Sequence, residues 1–152
     1  MEAIMGRTLG VDYGTRRVGF AVSDPLAIVA TPLFTKDVLS EAQAIRAVID
    51  VAAEKEAKRV VIGIPLNMDG TKGPMALQVE EFVKRLKDQS GLDVVVWDER
   101  LSTGLVERML VSADVSRTRR KEVRDKLAAQ VILQGYLDAH GEPMIPDFDD
   151  ED

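Results

Sequence analysis

Four acidic residues, Asp12, Asp98, Glu99 and Asp125, stand where carboxylates can act together. Asp12 closes an apolar, β-rich run from Arg7 to Val11, and Asp98 and Glu99 close another from Asp93 to Trp97. In open α/β sheets, ligands bind outside the carboxyl ends of the strands. Carboxylates 86 residues apart in the chain can therefore crowd one sheet edge. Asp125 lies in a helical pattern and shares a face with Ala128, Ala129, Ile132 and Tyr136. That face packs on the sheet, so the carboxylate is expected to face inward, where Asp is rare unless paired or bound to metal. Crowded carboxylates repel and raise one another's pKa unless a cation neutralises them. Hard oxygen donors favour Mg²⁺ or Mn²⁺. Such ions, about 3.5–4 Å apart in a two-metal site, activate water and stabilise the leaving oxygen of a phosphodiester. Each acid taken alone has a plainer reading. Asp12 suits an Asx turn, Asp98 a surface pair with Arg100, and Asp125 a bridge to Arg124 or Lys121.

Composition agrees with this chemistry. The 152 residues include no cysteine and a single histidine, His140. Disulfides, thiolate metal sites, cysteine nucleophiles and multi-histidine zinc sites are excluded, and histidine acid–base catalysis is disfavoured. The apolar share of 45% and charged share of 30% are those of a globular protein able to bury a core without staples. No apolar run is long enough to span a membrane. The stretch Met1 to Leu9 lacks the pattern of a signal peptide, so a cytoplasmic compartment is expected.

The elements that must position the acids can be read from periodicity. Arg7–Val11 and Arg17–Ser23, with Val18, Phe20 and Val22 alternating, flank a short glycine-containing turn and predict a hairpin. Ile28–Thr35 is a third strand, placed at an edge by Pro32. Ser40 and Gln43 have capping-box spacing before a helix with Ala42, Ile45, Val48, Ile49 and Ala52 on one face. Arg59–Ile64 suits a buried parallel strand. Pro74 opens and Gly91 closes the next helix, which buries Val79, Phe82, Val83 and Leu86. After Asp93–Trp97, a helix capped by Ser102 or Thr103 runs to about Val111, residues 112–116 form a polar break, and a long helix spans about Arg117 to Ala139. The order βββαβαβαα predicts an α/β fold with a mixed five-stranded sheet, order 3-2-1-4-5. Its first three strands are antiparallel and helices cover both faces, as in the ribonuclease H-like fold. The expected domain is residues 1–140, followed by an acidic disordered tail, residues 141–152.

The net charge of −6 conceals an uneven distribution. The tail carries Glu142, Asp147, Asp149, Asp150, Glu151 and Asp152 and no base, which leaves the body neutral. Residues 117–126 carry Arg117, Arg119, Arg120, Lys121, Arg124 and Lys126 against two acids. The basic stretch can hold a polyanion and the tail can compete for it. A solvated helix face with a disordered tail is the plainer reading. Only seven residues are aromatic, so backbone and shape recognition is expected over base stacking.

Four stretches, in order, resemble the YqgF/RuvX family of the ribonuclease H-like superfamily. They are Leu9-Gly-Val-Asp-Tyr-Gly-Thr-Arg-Arg-Val-Gly-Phe-Ala-Val-Ser-Asp24, Ile62-Gly-Ile-Pro-Leu-Asn-Met-Asp-Gly-Thr71, Trp97-Asp-Glu-Arg-Leu-Ser-Thr103 and Asp125-Lys-Leu-Ala-Ala-Gln-Val-Ile-Leu-Gln-Gly-Tyr-Leu137. The resemblance implies a metal-dependent nuclease that matures the 5′ end of 16S ribosomal RNA. The alternative it implies, by similarity to RuvC, is a Holliday-junction resolvase. By motif position it implies Asp12, Glu99 and Asp125 as the catalytic and metal-binding set, with Asp98 as a fourth candidate. One departure from RuvC matters: the fourth strand ends Ile62-Gly-Ile-Pro-Leu-Asn67 without an acid, and the acid moves to the fifth. Parity does not choose between Asp98 and Glu99, because that strand is buried on both faces. Gly14 is expected to let backbone approach a phosphate or metal, and Thr15 and Arg16 to contact phosphate. The loop Asn67–Thr71 either orders on substrate or is a polar turn closed by Gly70. Arg100 is either a phosphate clamp or the counter-ion of Asp98.

The expected partner is nucleic acid, either the pre-16S RNA or its ribosomal precursor particle, or else branched DNA. No membrane is involved. Junction resolution needs a homodimer, whereas the RNA reading also allows a monomer. Two further readings are a nucleotide-binding module like the actin and sugar-kinase group, and a non-catalytic assembly factor that binds RNA through Arg117–Lys126.

Overall fold

The computed structural model describes residues 6–101 and 117–139, with backbone alone for 117–126. The strands are β1 (Arg7–Tyr13), β2 (Arg17–Ser23), β3 (Ala30–Asp37), β4 (Ala57–Ile64) and β5 (Asp93–Asp98). The helices are α1 (Glu41–Glu54), α2 (Pro74–Ser90) and α3 (Arg117–Asp138), and Glu99–Leu101 forms a 3₁₀ turn. The expected helix after Ser102, the polar break and the acidic tail lie outside the described residues.

The sheet order is β3-β2-β1-β4-β5. β1–β2 and β2–β3 are antiparallel, and β1–β4 and β4–β5 are parallel. This is the order that the run of elements predicts. β3 begins and ends two residues later than expected, and Pro32 sits at its edge beside a register shift. An edge position and a shift both accommodate a residue that cannot donate to the ladder. Ser40 caps α1 by accepting from Gln43 N at 3.2 Å. The buried face of α1 carries Ala44, Ile45, Ala47, Val48, Val51 and Ala52. Ala42, expected on that face, is exposed because the face is centred two positions later. Pro74 stands at the first turn of α2, and Gly91 ends it at φ 71°, which glycine adopts without strain.

Two apolar layers sandwich the sheet. Val60, Ile62, Ile64, Val94 and Val96 pack under α1 and α2 with Val48, Phe82 and Leu86. Val61 and Trp97 pack under α3 with Ala129, Ile132, Leu133 and Tyr136. Alternate residues of β4 and β5 thus serve opposite layers, which fixes the side of the sheet on which each acid emerges.

Candidate active site at the carboxyl edge

β1 extends through Asp12, which sits in the ladder opposite Gly19. Asp12 is thus a strand residue, and the hairpin turn begins after it. Gly10, two residues earlier, faces α3: a Cβ there would lie 2.7 Å from Leu133 Cβ and 3.0 Å from the Ala129 carbonyl oxygen. By strand alternation Asp12 belongs to the same face. Glu99 reaches that face from the far side of β4. Its Oε2 lies 2.7 Å from where a Cβ on Gly63 would be, beside Ile132 Cδ1 of α3. β4 carries no acid at its end. Gly63 instead leaves the gap through which the Glu99 side chain, at the start of the 3₁₀ turn after β5, crosses toward Asp12. Burial, then the charges of Asp12 and Asp98, push the Glu99 carboxyl up to about 8.

Asp98 and Glu99 part where β5 ends and the 3₁₀ turn begins. Asp98 continues the Val94–Val96 face, under α1 and α2. It is 4% exposed. Its Oδ1 accepts from Arg100 N at 2.9 Å, and its Oδ2 accepts from Arg100 Nε at 2.9 Å and Nη2 at 2.6 Å. The pair is thus buried on the Asp98 side, not a surface pair, and Asp98 is engaged as the partner of Arg100. Arg100 also donates through Nη1 to the Met68 carbonyl at 3.1 Å. It is the counter-ion of Asp98 and a strut to the loop after β4.

That loop is a closed polar turn. Gly70 N donates to Asn67 O at 2.8 Å, and Asn67 N to Thr71 O at 2.9 Å. Asn67 Nδ2 donates to Thr71 Oγ1 at 2.9 Å, and Thr71 N to Asp69 Oδ1 at 3.0 Å. Gly70 takes φ 88°, the left-handed region. On the other side of Asp12, an open groove of about 890 Å³ is lined by Asp12, Thr15, Arg16, Gly19, Thr35 and Leu39, among others. Thr15 and Arg16 are exposed at the hairpin turn. Gly14 is required there for a local reason: a Cβ would sit 2.8 Å from the Arg17 carbonyl oxygen.

The structure therefore brings together Asp12 and Glu99, with Thr15 and Arg16 on the adjoining groove wall. It sets Asp98 on the opposite face. The side chains of Asp125, Arg117, Arg119, Arg120 and Arg124 lie outside the described residues, as do Ser102 and Thr103. Among the described residues no group of three His, Asp or Glu side chains is gathered for a metal. Sequence reasoning passed over Gly63 and Gly10. Their signal was a glycine inside an apolar strand, which marks close approach of another group. No helix among the described residues is long and apolar enough to cross a membrane.

A family model described as RuvX, Holliday junction resolvase, matches residues 6–139. The chain is 49% identical over 137 residues to a "Putative pre-16S rRNA nuclease" of Myxococcus xanthus, covering 90% of this chain and 91% of that protein. A protein of the same name from Geobacillus kaustophilus is 49% identical over 138 residues, covering 88% and 98%. Among solved structures, RuvC of T. thermophilus in complex with Holliday junction substrate matches at a TM-score of 0.55 and 14% identity, covering 90% of this chain and 97% of that one. The fowlpox virus Holliday junction resolvase matches at 0.52 and 12%, covering 88% and 99%. These two share the ribonuclease H-like fold of the present chain. With a family model spanning nearly the whole described chain and relatives at almost half identity, the chain belongs to the RuvX family.

Proposed function

We propose that this chain is a divalent-metal-dependent nuclease that hydrolyses phosphodiester bonds in 5′-end maturation of pre-16S ribosomal RNA, in the cytoplasm. The observation that carries the reading is the meeting of Asp12 and Glu99 on the α3 face, where burial and repulsion hold a proton on Glu99 up to about 8. The name shared by the curated relatives supports the RNA substrate.

The donor set suits a hard divalent cation. Two recessed carboxylates are poised so that a cation would relieve their repulsion and discharge the Glu99 proton. Asp125 is the third donor in this reading, and the backbone supports it. Tyr136 of α3 meets Arg59 at the start of β4, while Ile132 meets Gly63 near its end. α3 thus runs antiparallel to β4 and β1. Ala129 lies over Gly10, and one helical turn back to Asp125 spans about 6 Å. Two strand residues from Gly10 to Asp12 span about 6.6 Å. The two steps match, and Asp125 comes to the level of Asp12. Bound Mg²⁺ or Mn²⁺ supplies water activation and stabilisation of the leaving oxygen. The chain's own part is to hold the carboxylates rigidly on the sheet. Thr15 and Arg16, with Arg117, Arg119, Arg120 and Arg124, hold the phosphate backbone. Arg100 and Asn67 support the site by fixing the 67–71 turn.

The test is metal-dependent cleavage of a precursor spanning the 5′ end of small-subunit ribosomal RNA beside a four-way DNA junction. Wild type, Asp12→Asn and Glu99→Gln are compared after all three are shown to be folded. RNA cutting by wild type, with a loss of 100-fold or more in both variants (on the order of 3 kcal/mol in the barrier), is the expected result. No metal-dependent cutting of either substrate overturns the reading. A second reading, junction resolution, is favoured by the family's description and the RuvC-like fold. It requires junction cutting by a two-fold dimer.

A further inference from the structure

The two most exposed large apolar side chains among the described residues, Leu39 at 90% and Met68 at 89%, both stand at the carboxyl edge that carries Asp12 and Glu99. Leu39 follows β3, whose end lies beside the start of β2 and the β1 hairpin turn, and it lines the groove that Asp12 opens. Met68 follows β4 on the other side of β1. The carboxylate edge is bracketed by them.

Neither side chain owes its exposure to a slack backbone. Leu39 precedes the cap Ser40, the position that ordinarily packs against the fourth helical residue. That residue, Ala44, is buried without it. The Leu39 backbone is instead pinned by donating to Gln43 Oε1 at 2.8 Å. Met68 occupies the second position of the turn closed by Gly70 N on Asn67 O, and its carbonyl is held by Arg100. A lone exposed apolar side chain is ordinary on a protein surface, but these two, with pinned backbones on the edge that carries the carboxylates, stand where a substrate arriving at that edge would cover them. Arg16 stands exposed on the Leu39 side of the groove, where it can meet a phosphate, while Arg100 on the Met68 side is engaged with Asp98 and holds the turn in place.

We infer that Leu39 and Met68 are apolar platforms for two unstacked nucleobases flanking the cleaved phosphodiester, so that the site selects unpaired over duplex RNA. The inference rests on the nuclease reading above and adds the substrate's conformation. Leu and Met are among the side chains that wedge between base steps, and they serve here in a chain with few aromatics. The occupant is nucleic acid because the same edge carries the carboxylate pair that would cut it.

The probes are a short single-stranded RNA carrying 2-aminopurine and the same RNA annealed to its complement. Binding is measured by anisotropy and fluorescence in an Asp12→Asn background, and cleavage in the unmutated site. The full chain is compared with Leu39→Ser, Met68→Ser and the double variant. All are checked by thermal melting, which exposed positions should leave unchanged. The expected result is preference for the unpaired probe, a 2-aminopurine signal on binding, and loss of both in the double variant, on the order of tenfold in unpaired affinity with duplex affinity unchanged. RNA cutting that persists with equal affinity for the two probes, or with equal losses on both, overturns the inference and leaves the nuclease reading standing. Absence of RNA binding and of metal-dependent RNA cutting overturns both.

Discussion

Among the described residues, Glu99 is the one whose ionisation the fold most visibly disturbs. Burial and the neighbouring Asp12 and Asp98 raise its carboxyl from 4.5 to about 8. A carboxyl whose folded pKa lies above its unfolded value stabilises the fold fully below the unfolded value and loses that contribution as pH rises through the folded one. Metal-free wild type should therefore lose stability between about pH 4.5 and 8, by on the order of a few kcal/mol. Glu99→Gln cannot ionise and should lack that slope. Chemical denaturation of both proteins in chelator across this range checks it, and parallel slopes would contradict the assignment. Divalent metal should flatten the wild-type slope, because a cation replaces the proton. At Arg100 the expectation is different. Replacing it by alanine strands the buried Asp98 carboxylate and frees the Met68 turn, so the melting temperature should fall along with activity.

Two strand glycines meet α3 at the element scale, and they predict opposite kinds of damage. At Gly10 a methyl would press on the Ala129 backbone carbonyl and on Leu133 Cβ. Neither can move without shifting the helix, so Gly10→Ala should cost about 1–3 kcal/mol of stability. At Gly63 a methyl would press on Ile132 Cδ1 and on the Glu99 carboxylate and Cγ, side-chain atoms and not backbone. Gly63→Ala should therefore cost little stability and much activity. Denaturation midpoints and cleavage rates on the same preparations separate the two. A Gly63→Ala enzyme with wild-type activity would show that the gap is not what seats Glu99.

At the scale of the whole molecule, charge distribution and assembly state govern how the chain meets a polyanion. If the acidic tail shields the basic stretch, deleting residues 147–152 should tighten binding to random RNA at low salt, and the difference should fade as salt rises. Unchanged affinity at low salt would rule the shielding out. Light scattering gives the assembly state directly. A monomer that cuts RNA supports the proposed function, whereas junction resolution needs two coordinated sites and hence a dimer.

Much of the fold was legible because local chemistry and global arrangement agree. Periodicity switches from two to 3.6 at Ser40, Pro32 marks an edge, and Pro74 and Gly91 bracket α2, so the order of elements already implied the sheet order 3-2-1-4-5. That acids stand at strand ends was legible for the same reason, because the strands were, but the sequence left open which of them serve structure, as Asp98 does with Arg100. The face on which each acid emerges was not legible. β5 is buried on both sides, and only packing beneath α1, α2 and α3 reveals that Asp98 and Glu99 part company. Nor does the sequence say that Gly63 vacates space for a side chain arriving from the turn after β5, or that Leu39 is withheld from the helix it precedes. What the sequence by itself determined was which elements form and in what order, because those follow from local propensity and pattern. What only the tertiary structure decided was which carboxylate meets Asp12, because that depends on the alternation of neighbouring strands and on the space between them.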